Sequence, residues 1–149
     1  MTTSTEKKYL DIKDIAKSIR QQLKTEFPLC VFSIEIERYS MGQTLNIQLM
    51  STPFEVFNKG HKEDMNGKVY DERDYQYRQL NHYRAIQDFG DGYNNGSYLT
   101  QEAWKVLKRA LEITHQFHYD NSDSQTDYFD TNFYIHLAIG KWNKPFQKL

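Results

Sequence analysis

The feature that most constrains this chain is a change of hydrophobic period at Pro28. Before it, Ile12, Ile15, Ala16, Ile19, Leu23 and Phe27 recur at helical spacing, with Lys13, Lys17, Arg20, Gln21 and Lys24 on the opposite side. Asp11 stands where an N-cap belongs. After Pro28 the period drops to two. Phe32, Ile34 and Ile36 alternate with Ser33, Glu35 and Glu37, and beyond Met41-Gly42-Gln43 the alternation resumes at Leu45, Ile47 and Leu49. A helix therefore runs into a β-hairpin buried on one face. Pro53 closes its second strand.

Beyond the hairpin the signal weakens and then returns. Residues 54–74 carry glycines and balanced charges, and read as an exposed excursion. Residues 75–86 alternate through Tyr75, Tyr77, Gln79 and Asn81, which favours a strand over the helical alternative. A turn-rich stretch, DFGDGYNNGS, follows. Thr100 is then placed to cap a second helix, with Glu102 in its first turn. Ala103, Val106, Leu107, Ala110, Ile113, Thr114 and Phe117 form its apolar stripe. After an acidic stretch, Phe133, Ile135, Leu137 and Ile139 share one face of a last strand, with Tyr134, His136 and Ala138 on the other, and Gly140 ends it. The order α-β-β-(β)-α-β predicts an α+β fold: an antiparallel sheet of three to four strands with two helices on one face. A chain of 149 residues without a Pro/Ser-rich linker is expected to form one domain, with residues 1–8 frayed.

Several functional classes are excluded by composition. A net charge of −1 lacks the basic field of non-specific nucleic-acid binders. No apolar run approaches a membrane span, and the polar opening MTTSTEKKYLDIKD is unlike a signal peptide, so a cytoplasmic location is expected. Cys30 stands alone and is expected to act as a small hydrophobe. The aromatic content is high, with 11 Tyr, 9 Phe and 2 Trp. Phe27, Phe32, Phe117 and Phe133 fall on core positions, whereas many Tyr fall on polar faces.

Three constellations can carry chemistry. Residues 120–130, DNSDSQTDYFD, hold four carboxylates without a Lys or Arg. Oxygen ligands at this density suit Ca²⁺ or Mg²⁺, but the EF-hand template fails: Gln125 stands where its Gly belongs and Thr131 where its Glu belongs. Asp, Asn and Ser also form ordinary turns, and an acidic loop can contact a partner or imitate a phosphate backbone. His115 and His118 suggest a mixed metal site with Asp120 and Asp123, although imidazoles at a helix C-terminus need no metal. Arg73, Tyr75, Tyr77, Arg78, His82, Tyr83 and Arg84 resemble a stacking surface for single-stranded nucleic acid or a protein hot spot, or they simply pack. No GxSxG, phosphate loop or other catalytic motif is present, and none calls for a cofactor.

Taken together, two segments resemble a known family. They are the helix running into VFSIEIERYSMGQTLNIQL, with Arg38, Tyr39, Ser40 and Gly42 at its turn, and the C-terminal YDNSDSQTDYFDTNFYIHLAIGKWNKPF. Both are similar to the large polyvalent-protein-associated domain numbered twenty-nine in its series, over residues 11–50 and 75–146. That family occurs in polyvalent proteins of phages and conjugative elements, and as stand-alone bacterial proteins. The resemblance implies mobile-element biology, delivery with incoming DNA or interference with host defence. It carries no catalytic residues.

The expectation is a non-enzymatic module that binds a protein partner, with a host-defence component as one setting. Arg38, Tyr39, Ser40, Asp123, Asp127, Tyr128 and Asp130 are its candidate contacts, beside a Tyr-rich sheet face. A metal-dependent hydrolase or nuclease using His118, Asp120, Asp123 and Asp127 is the alternative, and single-strand nucleic-acid binding the second alternative.

Overall fold

The computed structural model describes residues 11–57, 78–80, 82–86, 99–119, 131–141 and 143–149. Helix α1 (Ile12–Glu26) is capped by Asp11, whose carboxylate accepts from the Lys13 N–H at 3.0 Å. Strands β1 (Val31–Tyr39) and β2 (Gly42–Thr52) form the hairpin, and β3 (Arg78–Leu80) leads into a short helix, α2 (His82–Ala85). Helix α3 (Gln101–His115) is capped by Thr100 and followed by β4 (Tyr134–Ile139) and β5 (Gln147–Lys148).

The hairpin turn is Ser40-Met41, one residue earlier than the sequence suggests, because Gly42 already pairs with Tyr39. A two-residue connection makes Tyr39 and Gly42 a hydrogen-bonded pair. Alternation then points the backbone groups of Phe32, Ile34, Ile36 and Arg38 away from β2. Gly42 has φ 156°, and a Cβ there would meet Tyr134 Cε2 at 3.4 Å and Tyr39 Cε2 at 3.6 Å.

The sheet runs β1-β2-β4-β3, with β5 also beside β2. It is mixed, not antiparallel throughout: β2 pairs in parallel with both β4 and β5. The reason is connectivity. The chain leaves β2 and returns through α3, so it enters β4 in the direction it left, and periodicity carries no information about direction. The sheet also has five strands, not three or four. β5 is the two-residue pair Gln147–Lys148, too short and polar to produce an alternation. Of the span 75–86, residues 78–80 and 82–86 are described, and they form the strand Arg78–Leu80 and the helical turn of α2.

Register sets the core. Ile34, Ile47, Leu137 and Leu80 lie in one row across the sheet, flanked by the row Ile36, Leu45 and Ile135. Both rows pack with Ile15, Ile19 and Leu23 of α1 and Leu107 and Leu111 of α3 in a single cluster. Fully burying side chains of this kind stabilises by roughly 1.5–3 kcal/mol each. Phe117 and Phe133 are buried in that cluster, while Phe27, Phe32 and Cys30 pack against it half-buried. Of the excursion read over residues 54–74, only 54–57 are described. They are not exposed throughout, since Val56 and Phe57 are buried and Phe57 bridges to Leu99. Residues 1–8 lie outside the described part.

Candidate functional site

The face of the sheet turned away from the helices is polar and aromatic. The rows there are Glu37, Thr44 and Tyr134; Glu35, Asn46 and His136; and Ser33, Gln48, Ala138 and Gln79. Alternation within β1 adds Tyr39 to this face. Its phenol lies 2.9 Å from Thr44 Oγ1. Tyr39 and Tyr134 remain 45% and 44% exposed, their rings flanking the bare Cα of Gly42. A larger residue at position 42 would crowd both rings. Gly42 thus makes the space in which two aromatic side chains from different strands stand side by side.

Charge on this face is locally compensated. Lys141, just past the end of β4, forms an ion pair with Glu35. That bond, with help from Ser33, holds the Glu35 carboxyl below its ordinary pKa against an opposing effect of burial. Gln48 Oε1 is buried with no hydrogen-bond partner among the described residues.

The structure separates the side chains of the candidate triplet at the hairpin. Arg38 falls on the helix side of β1, where Nη2 lies 3.7 Å from Asp11 Oδ1 and ties the strand end to the α1 cap. Tyr39 faces the opposite side, and Ser40 is exposed in the turn. Period-two geometry separates neighbours, so a contiguous Arg-Tyr-Ser motif cannot present one surface.

Asp120, Asp123, Asp127, Tyr128 and Asp130 lie outside the described residues. The residues that flank this segment are tied to each other. Asn132 Nδ2 donates to the Phe117 carbonyl at 2.6 Å, while Asn132 Oδ1 accepts from the Tyr119 N–H at 3.0 Å. Thr131 Oγ1 donates to the Tyr119 carbonyl at 2.9 Å and lies 3.3 Å from His118 Nε2. His118 also meets Phe133 edge-on, with ring centroids 5.0 Å apart. His118 therefore has a packing role at the end of α3. His115 stands 5.9 Å from it, centroid to centroid.

His82 sits in α2, where burial pushes its pKa below the ordinary value and the charges of His115 and His136 push the same way. Three imidazoles thus come near one another. Among the described residues, however, no group of three or more His, Cys, Asp or Glu side chains can hold a metal ion. Of the Arg/Tyr stretch, Arg73, Tyr75 and Tyr77 lie outside the described residues. Tyr83 is 73% exposed and contacts the His82 ring at 4.2 Å between centroids. No described helix is long and apolar enough to cross a membrane.

Alternation alone puts Tyr134 and His136 on a polar face, and Tyr39 is a candidate contact from the sequence, but the Glu35–Lys141 pair leaves no local signal. Its partners are over a hundred residues apart, and only the β2–β4 pairing brings them together. Comparison with known families now adds to this geometry. The model of the large polyvalent protein associated domain 29 matches residues 10–96. The chain belongs to that family. The match spans α1, the hairpin, β3 and α2, whereas α3, β4 and β5 lie beyond it. The C-terminal stretch read as the ending of the domain 29 family is thus outside the matched range. No curated protein and no solved structure matches the chain.

Proposed function

We propose that this member of the domain 29 family is a non-enzymatic accessory module that binds a protein partner through the open face of its sheet. The observation that carries this reading is the half-exposed pair Tyr39 and Tyr134 around Gly42, at the hairpin end of the polar face. Tyrosine gives large contact area for little side-chain entropy and keeps a polar tip, which suits protein interfaces. Asp123, Asp127, Tyr128 and Asp130 precede β4 in the sequence and are further candidate contacts for the same partner, the three Asp supplying negative charge. The setting is that of the family: polyvalent proteins of phages and conjugative elements, with interference in host defence as the role.

The test is affinity capture from a bacterial host lysate, read by mass spectrometry. The wild type is compared with a Tyr39→Ser/Tyr134→Ser variant and an Asp123→Asn/Asp127→Asn/Asp130→Asn variant of unchanged melting temperature. The expected outcome is a specific protein retained by the wild type and lost by both variants. Equal retention by all three, or capture that vanishes on nuclease treatment, rules the reading out.

A further inference from the structure

The outer edge of β1 lies at a groove that the open-face reading does not use. It has a volume of about 460 Å³ and is lined by Arg20, Lys141 and Lys144 around Phe32, Ser33, Met50 and Ser51. Among the described residues no carboxylate lines it. Lys141 is engaged by Glu35. Arg20 instead donates from Nη2 to the Ile34 carbonyl at 2.6 Å, and neither it nor Lys144 has a carboxylate partner among the described residues. Two cations beside a mainly polar lining favour an anionic ligand.

The edge itself narrows the class of ligand. β1 is a terminal strand of the sheet, and Phe32 and Ile34 direct their backbone N–H and C=O groups outward into this groove. Such a row is completed by an added strand. The Ile34 carbonyl already accepts from Arg20, yet its second lone pair can take an incoming N–H. A nucleic-acid backbone offers no alternating amide pattern to match it. A second copy of β1 paired antiparallel about Glu35 or Ile36 sets Glu35 against Glu35 or Glu37, whereas pairing about Ile34 does not and is an outcome that sedimentation reads. Glu37 also confines an acidic strand to the first half of β1, the half at which the groove lies.

We infer that this groove docks an extended acidic peptide segment of a partner protein. The segment adds as a strand outside Phe32 and Ile34, with its carboxylates on Arg20 and Lys144. The site is distinct from the Tyr39–Tyr134 face, so it can fail without that face failing, and the reverse.

The probe is a short fluorescent peptide alternating Glu with Thr, titrated with the full chain and read by anisotropy. Binding is expected to weaken with added salt and to be absent for the Lys–Thr counterpart. Arg20→Gln and Lys144→Gln should each weaken it by about tenfold, the scale of one lost charged hydrogen bond, with Lys17→Gln on the solvent side of α1 as an unaffected control. A backbone N-methylated Glu–Thr peptide should bind more weakly than its parent. The inference is overturned if the Glu–Thr peptide does not bind, or if Lys17→Gln weakens it as much as Arg20→Gln. It is equally overturned if the N-methylated peptide binds as tightly, if a single-stranded oligonucleotide displaces the peptide at lower concentration, or if sedimentation shows that the groove is closed by self-association.

Discussion

Asn132 closes on Phe117: its Nδ2 donates to the Phe117 carbonyl at 2.6 Å, and its Oδ1 takes the N–H of Tyr119 two residues further along. One amide thus satisfies a donor and an acceptor where α3 runs out. Its own carbonyl accepts from Gln43 Nε2 at 2.9 Å, which joins the hairpin to the same point. The acidic segment departs from and returns to this clasp. Asn132→Ala removes both side-chain bonds and is expected to cost about 1–3 kcal/mol in chemical denaturation. Asn132→Asp keeps the acceptor for Tyr119 but sets a carboxylate against the Phe117 carbonyl, so it should not restore the loss.

At Gly42 the backbone conformation sets the requirement. The positive φ of 156° is one L-residues rarely adopt, whereas a Cβ would only reach ordinary contact with Tyr134 and Tyr39. Gly42→Ala should therefore destabilise by about 1–3 kcal/mol. It should also alter the tyrosine fluorescence of the folded state. A variant as stable as the wild type would remove the requirement for glycine.

The pH dependence of stability should carry the signature of His82. Its folded pKa lies below the ordinary value of 6.5, chiefly through burial and then through His115 and His136. The unfolded chain therefore takes up this proton first as pH falls. Stability from this group is complete above pH 6.5 and declines as pH drops below it toward the depressed folded value. Melting temperatures measured across that interval should fall in the wild type and fall less in His82→Asn. Parallel curves for the two proteins would assign the dependence elsewhere.

Between the two long helices, Arg109 Nε contacts both carboxylate oxygens of Glu26, at 2.9 and 3.1 Å. Both side chains are 37% exposed, so the pair is partly screened by solvent. A double-mutant cycle with Glu26→Gln and Arg109→Gln should return a coupling of about 0.2–1 kcal/mol. That coupling should shrink in high salt. A salt-independent value would point to packing of the arginine stem in place of charge.

The hairpin and both long helices were legible because their determinants are local. Ile12, Ile15, Ile19 and Leu23 state a period, Asp11 and Thr100 state where helices begin, and Pro28 and Pro53 state where segments stop. The candidate surface was legible only in part. Tyr39 and Tyr134 fall on polar positions of their strands, but nothing local indicates that they flank one glycine. Arg38 reads as a neighbour of Tyr39 in the chain and faces the other side of the sheet in the molecule. Arg20 reads as one more solvent-facing residue of α1, yet it crosses to the edge of β1.

The sequence by itself therefore determined the α+β class, the order of elements and the family, each of which rests on patterns a few residues to a few tens of residues long. The tertiary structure decided the parallel entry of β4 beside β2, the two-residue strand β5, the Glu35–Lys141 pair and the cationic groove at the β1 edge. These depend on which strands become neighbours, and alternation is the same whichever way a strand runs. Only closure of the sheet over its core, with Leu45, Ile47 and Leu137 in facing rows, fixes that direction and so brings the distant charges together.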